Sequence, residues 1–94
     1  MVRGEVLNKA LACVTQDRQE TYGTPEDSFT AIARYWEVYL NNKFKGNLEL
    51  EPMDVALMLA LLKVARAQKS PKHADNFIDM AGYAACASEV VSGN

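Results

Sequence analysis

Asp75-Asn76-Phe77-Ile78-Asp79 holds the densest set of chemically useful side chains in this 94-residue sequence. Read as a helix, the segment puts Asp75 and Asp79 four residues apart and Asn76 and Asp79 three apart, so three oxygen-bearing groups project from one strip. Three hard donors on adjacent turns can share a divalent cation, and Mg2+ at nucleotide sites takes one or two carboxylates, with waters and phosphates completing its shell. The plainer reading has Asp75 and Asn76 capping the helix while Asp79 is solvated or pairs with Lys63 or Arg66. Spacing alone does not separate the two. Lys63 and Arg66 are the second feature, because they interrupt an otherwise apolar stretch. A buried charge without a partner is costly, so each needs a carboxylate or an anionic ligand, or must reach solvent along its own stem. Bracing the carboxylates and gripping phosphate oxygens are the functional alternatives, the latter suited to the bidentate fork of arginine.

Arg18, Glu20 and Asp27 flank the Tyr22-Gly23 turn, where they are simply solvated or complete an acidic pocket for a base or sugar. The lone His73 reads as an exposed loop residue, since no second His or Cys is spaced to join it at a metal. Trp36, Tyr39 and Tyr83 read as core, with stacking on a nucleobase as the alternative. Cys13 and Cys86 lie far apart without a CxxC pattern and are expected to be reduced, buried small hydrophobes. No GxGxxG, Walker loop, GxSxG, HExxH or zinc pattern occurs, so those chemistries lose their main support.

Four helical patterns must position these groups, and no period-2 strand pattern is evident, so an all-α single domain over 1–94 is expected. The first pattern runs from about Gly4 to Gln16 with Val6, Leu7, Ala10, Leu11 and Val14 on one stripe. Thr24-Pro25-Glu26-Asp27 opens the second as N-cap, first helical residue and acidic first turn, and Phe29, Ile32, Ala33, Trp36, Tyr39 and Leu40 form its core face. Asn41 to Leu50 reads as a polar loop. Glu51-Pro52-Met53-Asp54 then opens a third helix that is apolar nearly all round to Ala67, which predicts burial on most sides or an oligomer interface. A fourth helix, about Ala74 to Val91, is expected to turn Phe77, Ile78, Ala81, Ala84, Ala85 and Ser88 inward.

The formal charge of −2, with no basic run, argues against a nucleic-acid polymer or an anionic membrane as partner. The N-terminus shows no signal-peptide h-region, and the longest apolar run, Val55 to Leu62, is too short to span a bilayer, so a cytoplasmic location is expected.

Glu20-Thr21-Tyr22-Gly23, Phe29, Ile32-Ala33 and Trp36, Pro52-Met53-Asp54-Val55-Ala56, Leu62-Lys63-Val64-Ala65-Arg66 and Asp75 through Ala84 occur together in this order. Over about residues 18 to 88 the sequence resembles a family of small phage and prophage proteins, mostly of unknown function. It is also distantly similar to the MazG-like all-α nucleoside triphosphate pyrophosphohydrolases, whose bundle holds Mg2+ with an ExxE pair on one helix and an ExxD pair on the next. The resemblance implies a four-helix MazG-like bundle completed by homo-oligomerisation. Asn76 and Asp79 take the place of the ExxD pair, with Asp75 beside them and Asp54 as the carboxylate of the third helix, around Mg2+ or Mn2+. It further implies binding of a nucleotide or other small phosphorylated ligand by Lys63, Arg66, Tyr22 and Glu20. Hydrolysis to a monophosphate and pyrophosphate would involve Asp79, Asp75 and Lys63. Because Met58 and Leu61 follow Asp54 where further carboxylates would stand, the competing expectation is a non-enzymatic phage protein that binds a host factor on the same fold.

Overall fold

Thr24 and Pro25 begin the longest helix as their types demand: the Thr24 hydroxyl accepts the Asp27 N–H at 3.3 Å, and Pro25 fills a position whose own N–H would have no helical partner. The computed structural model describes residues 1–17 and 23–92. They form α1 (Arg3–Ala12), a π-helical turn (Cys13–Asp17), α2 (Pro25–Phe44), α3 (Pro52–Lys69) and α4 (Asp75–Ser92). The architecture is all-α, with no strand among the described residues. No helix among them is long and apolar enough to cross a membrane.

α1 is shorter than the first sequence pattern. The chain leaves α geometry at Cys13, and the Thr15 hydroxyl donates to the Leu11 carbonyl at 2.7 Å in the π-helical turn that follows. α2 runs on to Phe44 and ends at Lys45, whose φ of 53° places it in the left-handed region. α3 opens with Asp54 reaching back, its Oδ2 accepting the Glu51 N–H at 2.8 Å.

α3 and α4 form an antiparallel hairpin across the short turn at 70–74 and share the largest helix–helix contact; α2 packs on α3, and α1 packs on α4. Their shared core is Phe29, Ala33, Leu50, Val55, Ala56, Tyr83, Cys86 and Ala87, with the Phe29 and Tyr83 rings 6.5 Å apart and tilted by 50°.

The connection after α2, expected to be a polar loop, is instead strapped along that helix. The Asn41 amide both donates to the Leu48 carbonyl (3.0 Å) and accepts the Leu48 N–H (2.6 Å). Two residues on, Glu37 Oε2 accepts the Leu50 N–H (2.6 Å), and Arg34 Nη2 donates to the Leu50 carbonyl (2.8 Å). Arg34 and Glu37 also pair with each other at 3.1 Å. Side chains one turn apart on α2 thus satisfy an extended backbone that has no strand partner, and Leu50 enters the core just before α3 starts.

Several faces differ from expectation. On α1 Ala10 is buried and Val6 half-buried, while Leu7 and Leu11 are exposed because, among the described residues, α4 is the one α-helix that packs on α1. On α2, Tyr39 is exposed rather than core. α4 turns Asn76, Ile78, Gly82, Tyr83, Cys86 and Ala87 inward, whereas Phe77 is 41% exposed and Ala84, Ala85 and Ser88 face out. Packing between two neighbours rotates this face: Gly82 lies where an added Cβ would meet Val14 at 3.4 Å, and Tyr83 meets Phe29 on α2. Cys13 and Cys86 form no disulfide; Cys86 is buried as expected, whereas Cys13 is only half-buried.

Candidate functional site

Lys63 lies on the face of α3 that meets α4, in a stripe with Ala56, Ala60 and Ala67, so its ammonium is held inside the hairpin. Across the hairpin the antiparallel course of α4 brings Asp79 opposite. Lys63 Nζ and Asp79 Oδ2 are 2.8 Å apart, with only 15% and 21% of the two side chains exposed. The desolvation that made an unpaired Lys63 implausible is therefore met by a carboxylate.

Toward the turn the hairpin opens into a crevice of about 340 Å³. Lys63, Arg66 and Lys69 line it from successive turns of α3, Ser70 and His73 from the turn, and Asp75, Asn76 and Asp79 from the first turns of α4. Arg66 and Lys69 are exposed and make no ion pair among the described residues. His73 Nε2 lies 3.8 Å from Asp75 Oδ2, both groups well exposed. Counting His73 as neutral, three cations face two carboxylates. The N–H groups of Asn76, Phe77 and Ile78 are bonded to the carbonyls of His73 and Ala74, so an anion entering here would meet side chains rather than free helix N–H groups. Asn76 is buried, and among the described residues no buried side-chain nitrogen or oxygen lacks a hydrogen-bond partner.

Residues 5–91 match the model of a family described as a domain of unknown function, DUF6378. The chain belongs to the DUF6378 family. It is 34% identical over 85 residues to the Gene 55 protein of Mycobacterium phage D29, covering 90% of this chain and 52% of that protein. The Gene 55 protein of Mycobacterium phage L5 is 35% identical over 79 residues, 84% of this chain and 47% of the relative. The DUF6378 chain thus spans about half the length of these curated relatives. No solved structure matches it.

Of the residues singled out in sequence, the DUF6378 fold gathers Lys63, Arg66, Asp75, Asn76 and Asp79 into one crevice. Asp54 is not among them. It stands nine residues before Lys63, about 13 Å along the axis of α3, where it caps that helix. Asp27 lies in the exposed first turn of α2. Arg18, Glu20 and Tyr22 lie outside the described residues. Lys69, Ser70 and His73 join the site without having been assigned to it. For Lys69 a signal was present, since Lys63, Arg66 and Lys69 recur every three residues along one side of α3.

The described donors do not fit a Mg2+ centre. Among them no three His, Cys, Asp or Glu side chains are grouped to hold a metal ion. Asp79 presents one oxygen to an ammonium at 2.8 Å, and the crevice lining carries more cations than carboxylates. Lysine and arginine beside a solvent-open crevice are instead suited to phosphate or carboxylate oxygens.

Proposed function

We propose that the α3–α4 crevice binds a nucleotide or other small phosphorylated ligand through its phosphate groups. The observation that carries this reading is the convergence of Lys63, Arg66 and Lys69 on one opening, with Lys63 held by Asp79 and the other two free of ion pairs among the described residues. In this arrangement Arg66 supplies the bidentate contact, Lys69 a mobile point charge, and Lys63 a fixed one whose direction Asp79 sets. A volume of about 340 Å³ accommodates a phosphate or pyrophosphate group, leaving a base and sugar to extend outside it.

A MazG-like relationship, implied by sequence resemblance alone, would extend the reading to Mg2+-dependent release of pyrophosphate from a nucleoside triphosphate. That extension would need carboxylates beyond those the described residues assemble. The test is calorimetry and thermal shift with pyrophosphate and with nucleoside triphosphates, each with and without Mg2+ or Mn2+, together with a screen for released pyrophosphate. The expected result is saturable, salt-sensitive binding that weakens about tenfold or more in Arg66→Ala, the loss of a charge-assisted hydrogen bond. Absence of binding to every phosphate compound, or unchanged affinity in that variant, overturns the reading and favours a host-factor module whose crevice charges are structural.

A further inference from the structure

Among the described residues, the α3–α4 crevice is lined wholly by polar and charged side chains. Such walls grip phosphate oxygens, but they give a flat aromatic ring nothing to pack on. A ring carried by a ligand seated there must lie outside the crevice, and α3 offers it a path. Met58, Leu62 and Arg66 are successive members of one i+4 row, the kind that forms a slowly slanting ridge on a helix surface. All three are open to solvent, Met58 at 40% and Leu62 at 42%, although the all-round apolar sequence of α3 predicted burial on most sides. The row leaves the crevice at Arg66 and reaches Met58 about 12 Å away along the helix axis.

At Met58 the row meets a groove of about 450 Å³ between α2 and α3, walled by Trp36, Tyr39, Leu40 and Met58. No charged side chain lines it among the described residues. Trp36 and Leu40 are half-buried and packed against the core, which holds them in place. Tyr39, expected in the core with base stacking as the alternative, is 65% exposed and gives the groove an accessible aromatic wall. Two aromatic side chains and a thioether suit a planar, weakly polar ring, and stacking of this kind accepts any base because every base has a π-face.

We infer that this groove is the nucleobase subsite for the ligand whose phosphates occupy the crevice. A nucleotide then lies along the Met58-Leu62-Arg66 row, its ring against Trp36, Tyr39 and Met58 and its phosphates at Arg66, Lys69 and Lys63. The inference rests on the phosphate-binding reading proposed above. It narrows the ligand from any small phosphorylated compound to one with a planar base at the far end of a sugar and a chain of phosphates, which fill the separation of about 12 Å. Charge fixes the direction. The cations stand at the crevice end, the groove end is uncharged, and the exposed Leu62 lies between them without a polar group of its own.

Trp36 is the single tryptophan of the chain, so its emission reports on the groove. The full chain is titrated with ATP, GTP, CTP and UTP and with inorganic tripolyphosphate. Calorimetry gives affinity, and Trp36 is excited at the red edge of its absorption, where the bases do not absorb. The nucleoside triphosphates, purines foremost, are expected to bind about tenfold or more tighter than tripolyphosphate and to change Trp36 emission at saturation; tripolyphosphate binds without changing it. Tyr39→Ala weakens nucleotide binding about tenfold and leaves tripolyphosphate unaffected, whereas Arg66→Ala weakens both. Tyr39→Leu, which keeps apolar bulk but loses the π-face, gives the same selective loss should Tyr39→Ala lose helical signal in circular dichroism. Nucleotides that bind no tighter than tripolyphosphate and leave Trp36 silent overturn the inference while the phosphate reading stands. So does a Tyr39 variant that weakens both ligands equally. If neither ligand binds, the phosphate reading fails and the base subsite falls with it.

Discussion

Replacing Asp79 by Asn removes one charge from the hairpin while keeping shape, and the structure sets the size of the effect. At 2.8 Å the attraction between Lys63 and Asp79 is about 6 kcal/mol for an effective dielectric of about 20, opposed by a desolvation cost of several kcal/mol per ion. The pair itself therefore contributes little net free energy, but breaking it leaves an ammonium with 15% exposure facing an amide. A fully buried pair broken this way costs about 3–5 kcal/mol; the residual access to water lowers the expectation here to about 2–3 kcal/mol. For a domain of this length that is a fall in Tm of about 8–24 °C. Urea titration and thermal unfolding followed by circular dichroism measure it directly. Lys63→Met keeps the aliphatic stem, and the double variant Lys63→Met with Asp79→Asn should recover about 1–2 kcal/mol relative to the sum of the single losses. An Asp79→Asn protein with unchanged or higher Tm would refute the reasoning. That result is what relief of repulsion in an acidic metal cluster would give, and it would return Asp79 to the role that the MazG resemblance implied.

Three further outcomes are expected. Arg66→Ala, at an exposed position without an ion pair among the described residues, should change stability by no more than about 0.5 kcal/mol while weakening pyrophosphate binding, so unfolding and calorimetry on one sample separate the two effects. Asn41→Ala removes both hydrogen bonds to Leu48 and should cost about 1–2 kcal/mol in urea unfolding, with faster hydrogen exchange at the Leu48 N–H; unchanged exchange would show that Arg34 and Glu37 hold the strap unaided. Gly82→Ala gains up to about 1 kcal/mol of helix propensity against a contact with Val14 at 3.4 Å, so a modest rise in Tm is expected, and a fall would mean that α1 cannot yield.

Features fixed by local chemistry were legible in the sequence. Thr24-Pro25 and Glu51-Pro52-Met53-Asp54 mark helix starts because caps and prolines act within one turn, and both starts fall where those residues put them. Lys63 was legible for a different reason: a charge in an apolar helix must find a partner, and one of the two carboxylates a short turn away proved to be it. The face of α3 that is buried could not be read from periodicity, since apolar residues on every side erase the period; only the positions of α2 and α4 select Val55 and Ala56 over Leu57 and Leu61. On α4 the expected inward set of Phe77, Ala84, Ala85 and Ser88 was out of phase, because small residues give periodicity little to weigh; Tyr83 and Gly82 set the phase instead, through Phe29 and Val14. The strap was hidden because its hydrogen bonds join side chains to backbone groups 7 to 16 residues away, which no local spacing encodes.

The strap and the ion pair act on the two ends of the same helix. Leu50, held by Arg34 and Glu37, fixes the chain just before α3 begins, and Lys63 with Asp79 fixes α3 to α4 beside the crevice. With α3 tied at both ends, the proposed binding would find the backbone that carries the crevice cations already set, and would cost less conformational freedom. Lys63 is thereby a structural group, and in the proposed reading a ligand-facing one as well. A loss of binding in a Lys63 variant would mix a weakened hairpin with a missing charge. Arg66, one turn on and outside the ion pair, carries the charge without holding the fold, and its substitution reports on recognition alone.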